Sequence, residues 1–339
     1  MKKIFFLCYI LLSSSLYSQV GGESVFQFLN LTSSSRQVAL GGEVLTLIND
    51  VNQPIWNPSV INHSLDKQLS LNYTSYLAGI SIGSAAYSQV INRRLGAIHG
   101  SIKYLNYGSL VEADENGLET GTFKASDVAI SFGYAVNLPW TNIYMGLNGK
   151  FINSRISNFT SNGIASDIAI LYYSPYKSYA FTIVARNMGT QIKSYDGTIE
   201  KLPFKVALGG SYKLKYVPLK WHFTLDNLQQ WKLATPNPSN STSDLEGNIT
   251  DEKISFLTNA FRHFVIGAEL FPDSPINLRA GYNFRRSSEL KLQNARSFSG
   301  ISFGFGIKMN RLRFNYAFSK YHAATSASTF SLEFDLDKR

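Results

Sequence analysis

The feature that most constrains this chain is a period of two. From about Leu69 onward, apolar side chains fall on every other residue in segment after segment. Val128, Ile130, Phe132, Tyr134 and Val136 alternate with Ala129, Ser131, Gly133 and Ala135. Ile276, Leu278, Ala280, Tyr282 and Phe284 alternate with Asn277, Arg279, Gly281 and Asn283. Successive side chains of a strand point to opposite faces, so each segment has one greasy face and one polar or small face. About 14 such segments run to the C-terminus: 69–77, 79–90, 95–107, 124–137, 141–151, 164–173, 178–187, 202–216, 219–229, 263–271, 276–285, 299–309, 312–321 and 327–336. Most approach the roughly 9–11 residues of a tilted transmembrane strand, against about five or six in a soluble one.

The connections sort by length. Short ones, such as Leu138-Pro139-Trp140, Val217-Pro218 and Asn310-Arg311, alternate with long ones near 108–123, 152–163, 188–201, 230–262 and 286–298. Only the connection at Ala78 is short where parity asks for a long one. A soluble sandwich has no reason to sort its loops in this way, whereas a membrane barrel has short turns on one side and long loops on the other. The expected fold is therefore all-β: a transmembrane antiparallel β-barrel of about 14 strands. An even strand count predicts both termini on the short-turn side. Charge placement agrees. Lys103, Lys150, Arg186, Lys205, Lys213, Asp226, Glu269, Arg279, Arg313 and Glu333 share the polar faces, where a lumen spares them the ~2–4 kcal/mol that a charge costs near the bilayer midplane. Tyrosines and tryptophans near strand ends, Trp140 and Trp221 among them, match aromatic girdles.

Three domains are expected: a signal peptide over 1–18, an N-terminal plug segment over 19–65 and the barrel over 66–339. Lys2 and Lys3 precede an apolar run from Ile4 to Leu12, too short to span a bilayer as a helix and apt for an export signal. Cys8 is the only cysteine, which excludes a disulfide scaffold and a cysteine-based zinc site. The net charge of +9 comes from scattered basic residues without a basic helix, so no nucleic-acid partner is expected. Gly79-Ile80-Ser81-Ile82-Gly83 and Gly300-Ile301-Ser302-Phe303-Gly304 both match a G-x-S-x-G pattern. Both lie in alternating segments rather than at a strand-to-helix turn, so neither reads as a catalytic nucleophile. No catalytic, metal or cofactor site is expected, and the chain reads as a non-enzyme.

The segment from about Ser24 to Ser64 lacks the long alternation. It carries Arg36, then Gly41-Gly42, Asp50 and Trp56-Asn57-Pro58. This pattern resembles the N-terminal signature of FadL-like outer-membrane barrels, and within that superfamily the chain is most similar to the PorV/PorQ branch of the type IX secretion system, the PorQ type above all. The resemblance implies a plug of Arg36, Gly41, Gly42, Asp50, Trp56, Asn57 and Pro58 in a barrel of the outer membrane of a Gram-negative, Bacteroidota-like bacterium. It implies a scaffold or anchor for protein secretion and cell-surface attachment, with a PorZ-like anchor partner and a sortase-like protease complex as partners besides outer-membrane lipid. Glu43 and Gln53-Pro54 depart from the usual signature. The alternative is a FadL-like transporter of hydrophobic small molecules. The charged, glycine-rich lumen face argues against a greasy cavity for it. Ile254, Leu257 and Phe261, at helical spacing in the longest connection, are candidate partner-binding residues.

Overall fold

Alternation of this kind leaves the backbone groups of each strand to be paired by a neighbour, and in a bilayer only a closed sheet pairs them all. The computed structural model describes residues 24–92, 96–138, 141–174, 176–234, 242–243, 249–250, 254–289, 298–320 and 326–337; the expected signal peptide, Trp140 and parts of the longest connections lie outside them. The strands are β1 (Gln68–Ser75), β2 (Ser81–Asn92), β3 (Gly96–Ala113), β4 (Glu119–Asn137), β5 (Ile143–Ile156), β6 (Phe159–Ser174), β7 (Tyr179–Lys193), β8 (Lys205–Lys213) and β9 (Leu219–Leu225). After a small hairpin of β10 (Thr242–Ser243) and β11 (Ile249–Thr250) come β12 (Phe264–Leu270), β13 (Ile276–Asn283), β14 (Ile301–Met309), β15 (Leu312–Lys320) and β16 (Ser326–Asp335). Apart from β10 and β11, each strand pairs antiparallel with its sequence neighbours. β9 pairs with β12, and β1 closes on β16 with Gln68 opposite Asp335 and Ser75 opposite Ser328. The result is a closed 14-strand antiparallel barrel with no free edge.

The expected strands and faces are present. Along β4, Asp127, Ala129, Ser131 and Ala135 are buried toward the lumen, while Phe132 on the opposite face is 72% exposed. Leu147, Phe151, Ile183, Leu278 and Phe303 likewise form an apolar outer surface. Three expected loops are instead partly strand. β3 and β4 continue to a tight turn at 114–118, where the Asp114 carboxylate accepts the amides of Asn116 and Leu118 at 2.9 and 2.8 Å. β5 and β6 extend to Ile156 and Phe159, and β7 to Lys193. Cross-strand pairing carries these extensions beyond the apolar band, where lipid no longer imposes a greasy face and the alternation fades. Leu202, the first residue of the expected segment 202–216, precedes β8 and is buried inside.

Residues 24–65 lie inside the barrel, and they run from the long-loop end toward the short-turn end; the N-terminus itself lies outside the described residues. Ser24 forms a bridge to Lys201 in the long β7–β8 connection, and the Val25 amide donates to the Lys201 carbonyl at 2.9 Å. The described chain therefore starts at the long-loop end and crosses the lumen to reach β1 at the other. Strand parity fixes where β1 begins, but it does not govern a segment that threads the lumen. The C-terminal end stays on the short-turn side, where Lys67 pairs with Asp337.

Candidate functional site: the plugged lumen

The plug is built from short pieces. Helix α1 (Ser35–Ala39) is followed by Gly41 and Gly42, whose φ angles of 99° and 101° are left-handed and favour glycine. This turn presses the backbone of Leu40 and Gly41 onto the barrel wall. A Cβ on Gly281 of β13 would lie 2.1 Å from the Leu40 carbonyl carbon. At a second contact, a Cβ on Gly146 of β5 would lie 2.2 Å from the carbonyl carbon of Pro58. Gly281 and Gly146 are thus places where plug and wall touch backbone to backbone.

The signature residues serve this packing at separate points of the lumen. The Arg36 guanidinium meets Glu269 of β12 in a bidentate pair, Nε to Oε1 at 2.8 Å and Nη2 to Oε2 at 2.9 Å, and donates to Asn49 Oδ1 at 2.9 Å. Arg279 Nε reaches the same Oε1 at 2.9 Å, and its Nη1 donates to Asn315. Asn315 and Arg313 in turn bind the two oxygens of Glu333. Asp50 accepts the amide and side chain of Asn52, fixing the turn before the 3-10 segment Gln53–Ile55. Asn57 caps the next turn, Pro58–Val60, by accepting the Ser59 amide, while its Nδ2 donates to Leu45 O at 2.7 Å and Thr182 Oγ1 at 3.1 Å. Trp56 is buried with the Arg186 guanidinium 3.9 Å from its ring centroid, a cation–π contact.

The two departures from the signature also have partners. Glu43 lies 3.4 Å from Lys205 and 3.5 Å from Arg285, with Asp226 on the same Lys205 at 2.8 Å. Gln53 Oε1 accepts from Gln37 at 3.0 Å, and both side-chain amides donate to the Val44 carbonyl. Nothing in the local sequence announces these pairs.

Toward the long-loop end the lumen changes character, and this corrects the expectation of a uniformly charged face. Phe26, Phe28 and Leu29 pack against Ile82, Leu105, Ala129, Ile152, Ala165 and Leu202 in one apolar cluster. Below it stand two cations. Lys103 Nζ donates to Leu31 O at 2.6 Å and Phe28 O at 3.4 Å, and Arg186 Nη2 to Leu29 O at 3.2 Å. Both are held by carbonyls at the end of the 3-10 turn Gln27–Asn30, and neither has a carboxylate in contact among the described residues. Lys150, by contrast, pairs with Asp167 at 2.7 Å. A void of about 10 Å³ remains between Leu29, Ile55, Lys103 and Lys150, room for roughly one water.

The candidate partner residues sit elsewhere, on the outer rim. Leu257 and Phe261 belong to helix α2 (Phe256–Phe261) and are exposed, while Ile254 precedes the helix. The serines of the two G-x-S-x-G matches, Ser81 and Ser302, lie on β2 and β14 without a following helix, and buried Ser302 donates to Ser319.

An apolar belt around a closed sheet, with a charged lumen filled by the chain's own N-terminal segment, defines a plugged transmembrane β-barrel of the outer-membrane type. Solved structures share this fold. The chain is similar to "TodX monoaromatic hydrocarbon channel deltaS2 mutant", with 13% identity, 91% of this chain and 98% of that one covered and a TM-score of 0.53. It is also similar to the Ralstonia pickettii toluene transporter TbuX, with 14% identity, 91% and 98% covered and a TM-score of 0.51. No family model matches the sequence, and no curated protein matches it.

Proposed function

We propose that this barrel is an outer-membrane transporter of hydrophobic small molecules. The observation that carries the reading is the apolar chamber at the long-loop end, filled by Phe26, Phe28 and Leu29 above Lys103 and Arg186. A site that holds apolar side chains over carbonyl-bound cations suits a ligand with an apolar body, and favours one with a polar or anionic head. The fold shared with a hydrocarbon channel and a toluene transporter supports the same reading. Saturable binding of labelled toluene or of a medium-chain carboxylate to the purified barrel tests it. Phe26→Ala with Phe28→Ala should raise affinity by weakening the chain's own occupancy, and Ile152→Trp should lower it. No saturable binding by either the wild type or the double variant would sink the proposal.

A second reading is a scaffold or anchor for a type IX protein secretion and attachment complex. Two things support it: the resemblance of Arg36, Gly41-Gly42, Asp50 and Trp56-Asn57-Pro58 to that branch, and a central lumen packed with buried ion pairs. Its partners would be a PorZ-like surface protein and a sortase-like protease complex, its cell Bacteroidota-like, and residues 1–18 a cleaved export signal. The shared fold speaks more for transport than for this role. Recovery of secretion-system surface proteins with the membrane-extracted barrel, measured by mass spectrometry, would favour the scaffold.

A further inference from the structure

Helix α2 has three distinct faces. Asn259 is buried and pins the helix to the preceding chain, accepting the amides of Leu233 and Ala234 at 3.0 Å each and donating to Trp231 O. Ser255, Thr258 and Arg262 form a polar face, with Ser255 Oγ capping the Thr258 amide at 3.1 Å. The third face is apolar and open: Phe256 is 69% exposed, Leu257 65% and Phe261 51%. Trp231, half exposed, lies against Phe256 with ring centroids 5.2 Å apart.

This open face continues the outer wall of the barrel. Along β12, Val265, Gly267 and Glu269 are buried on the lumen side, so Phe264 points outward with Ile266 and Leu270. Phe261 packs on Phe264 at 6.2 Å and on Phe284 at 5.5 Å, and Phe284 meets the outward Tyr282 edge-on at 4.7 Å. The apolar side of α2 is therefore the top of an aromatic ladder that runs down β12 and β13 into the lipid-contacting belt. A tryptophan beside an amphipathic helix at that height is what an interface between hydrocarbon and headgroups selects.

We infer that α2 and Trp231 are seated in the outer leaflet of the membrane, with Leu257 and Phe261 against acyl chains, rather than presented to a protein. The polar face of Ser255, Thr258 and Arg262 then lies at headgroup level, and Asn259 holds the helix flat against the rim. This seat fixes the longest connection at 231–234 and at 254–263.

Nitroxide labels at single cysteines read the environment directly. With Cys8→Ser as background, Leu257→Cys and Phe261→Cys are compared with Phe303→Cys on the lipid-facing wall and Glu115→Cys at the β3–β4 turn, all in bilayer nanodiscs and all checked for heat-modifiable migration. The expected result is oxygen-rich, nickel-chelate-poor relaxation at 257 and 261, within about twofold of the 303 label. Nickel-chelate access like that of the 115 label overturns the seat and leaves the face in water. Protection from both reagents also overturns it, because the face is then covered by protein. If the exposed-site cysteines disturb folding, quenching of Trp231 by brominated lipid, taken as the difference between wild type and Trp231→Phe, gives the same decision. Loss of quenching on removing Trp231 supports the seat, and an unchanged signal opposes it.

Discussion

Glu269 joins plug to wall, binding Arg36 from the plug and Arg279 from the wall on one fully buried carboxylate. A buried pair contributes little relative to apolar packing, but removing one partner strands the other at a cost of about 3–5 kcal/mol. The two sides of this pair are not equivalent. Glu269→Gln leaves two guanidiniums without their anion, whereas Arg36→Met leaves Glu269 still paired with Arg279. The expected order of destabilisation is Glu269→Gln well above Arg36→Met, read as the temperature at which folded and unfolded bands interconvert on a gel. Equal shifts would show that Arg279 does not hold the carboxylate. Gly281 makes a different point. With Leu40 carbonyl carbon 2.1 Å from any added Cβ, Gly281→Val must push plug and wall apart. Limited proteolysis should then cut within residues 24–65 in the variant and spare them in the wild type, while the barrel keeps its heat-modifiable migration.

At the scale of elements, the strands were legible because lipid and lumen impose a local rule on every second residue, so a window of ten residues such as 128–137 is enough. The plug was legible only as a break in that rule. Its defining contact joins Arg36 to Glu269, 233 positions away, and no local pattern encodes such a pairing. The chamber at the long-loop end was misread for a related reason. Alternation separates two faces without saying which is inside, and Ile82, Leu105 and Ile152 are apolar residues that face inward. The strand extensions were hidden because pairing continues where the greasy face stops. They also give a prediction. The turn at 114–118 stands on extended β3 and β4 at the long-loop end, while Asn310-Arg311 joins β14 to β15 at the opposite mouth. An epitope inserted after Glu115 should be reachable by antibody on intact cells, and one at Asn310-Arg311 only after permeabilisation. Surface labelling of the latter would reverse the orientation of the whole barrel.

The whole molecule is a barrel whose lumen is filled by residues 24–65, joined from the long connections by Leu202 in the apolar cluster and by Arg285 beside Glu43. The plug crosses from Ser24 beside Lys201 to Lys67 beside Asp337, so it blocks both ends and the centre with one covalent segment. The wall is matched to that filling, with glycine where backbone approaches and charge where charge waits. Deleting residues 24–60 therefore removes more than a stopper. It empties the apolar chamber, leaves Lys103 and Arg186 without their carbonyls, and takes Arg36 from Glu269, which keeps Arg279 and His222. The wall itself keeps its closed hydrogen-bonded circuit, since no strand pairing runs through the plug. The remaining lumen is polar below and open above, and water should enter it. In planar bilayers the deleted form should conduct ions in discrete steps, with unpaired lumenal cations favouring anions over cations, while the intact protein stays closed. Closed traces from both forms, with the barrel folded, would mean that residues outside the plug seal the lumen. Conduction with no ion preference would mean that Lys103 and Arg186 find new anionic partners once the plug is gone.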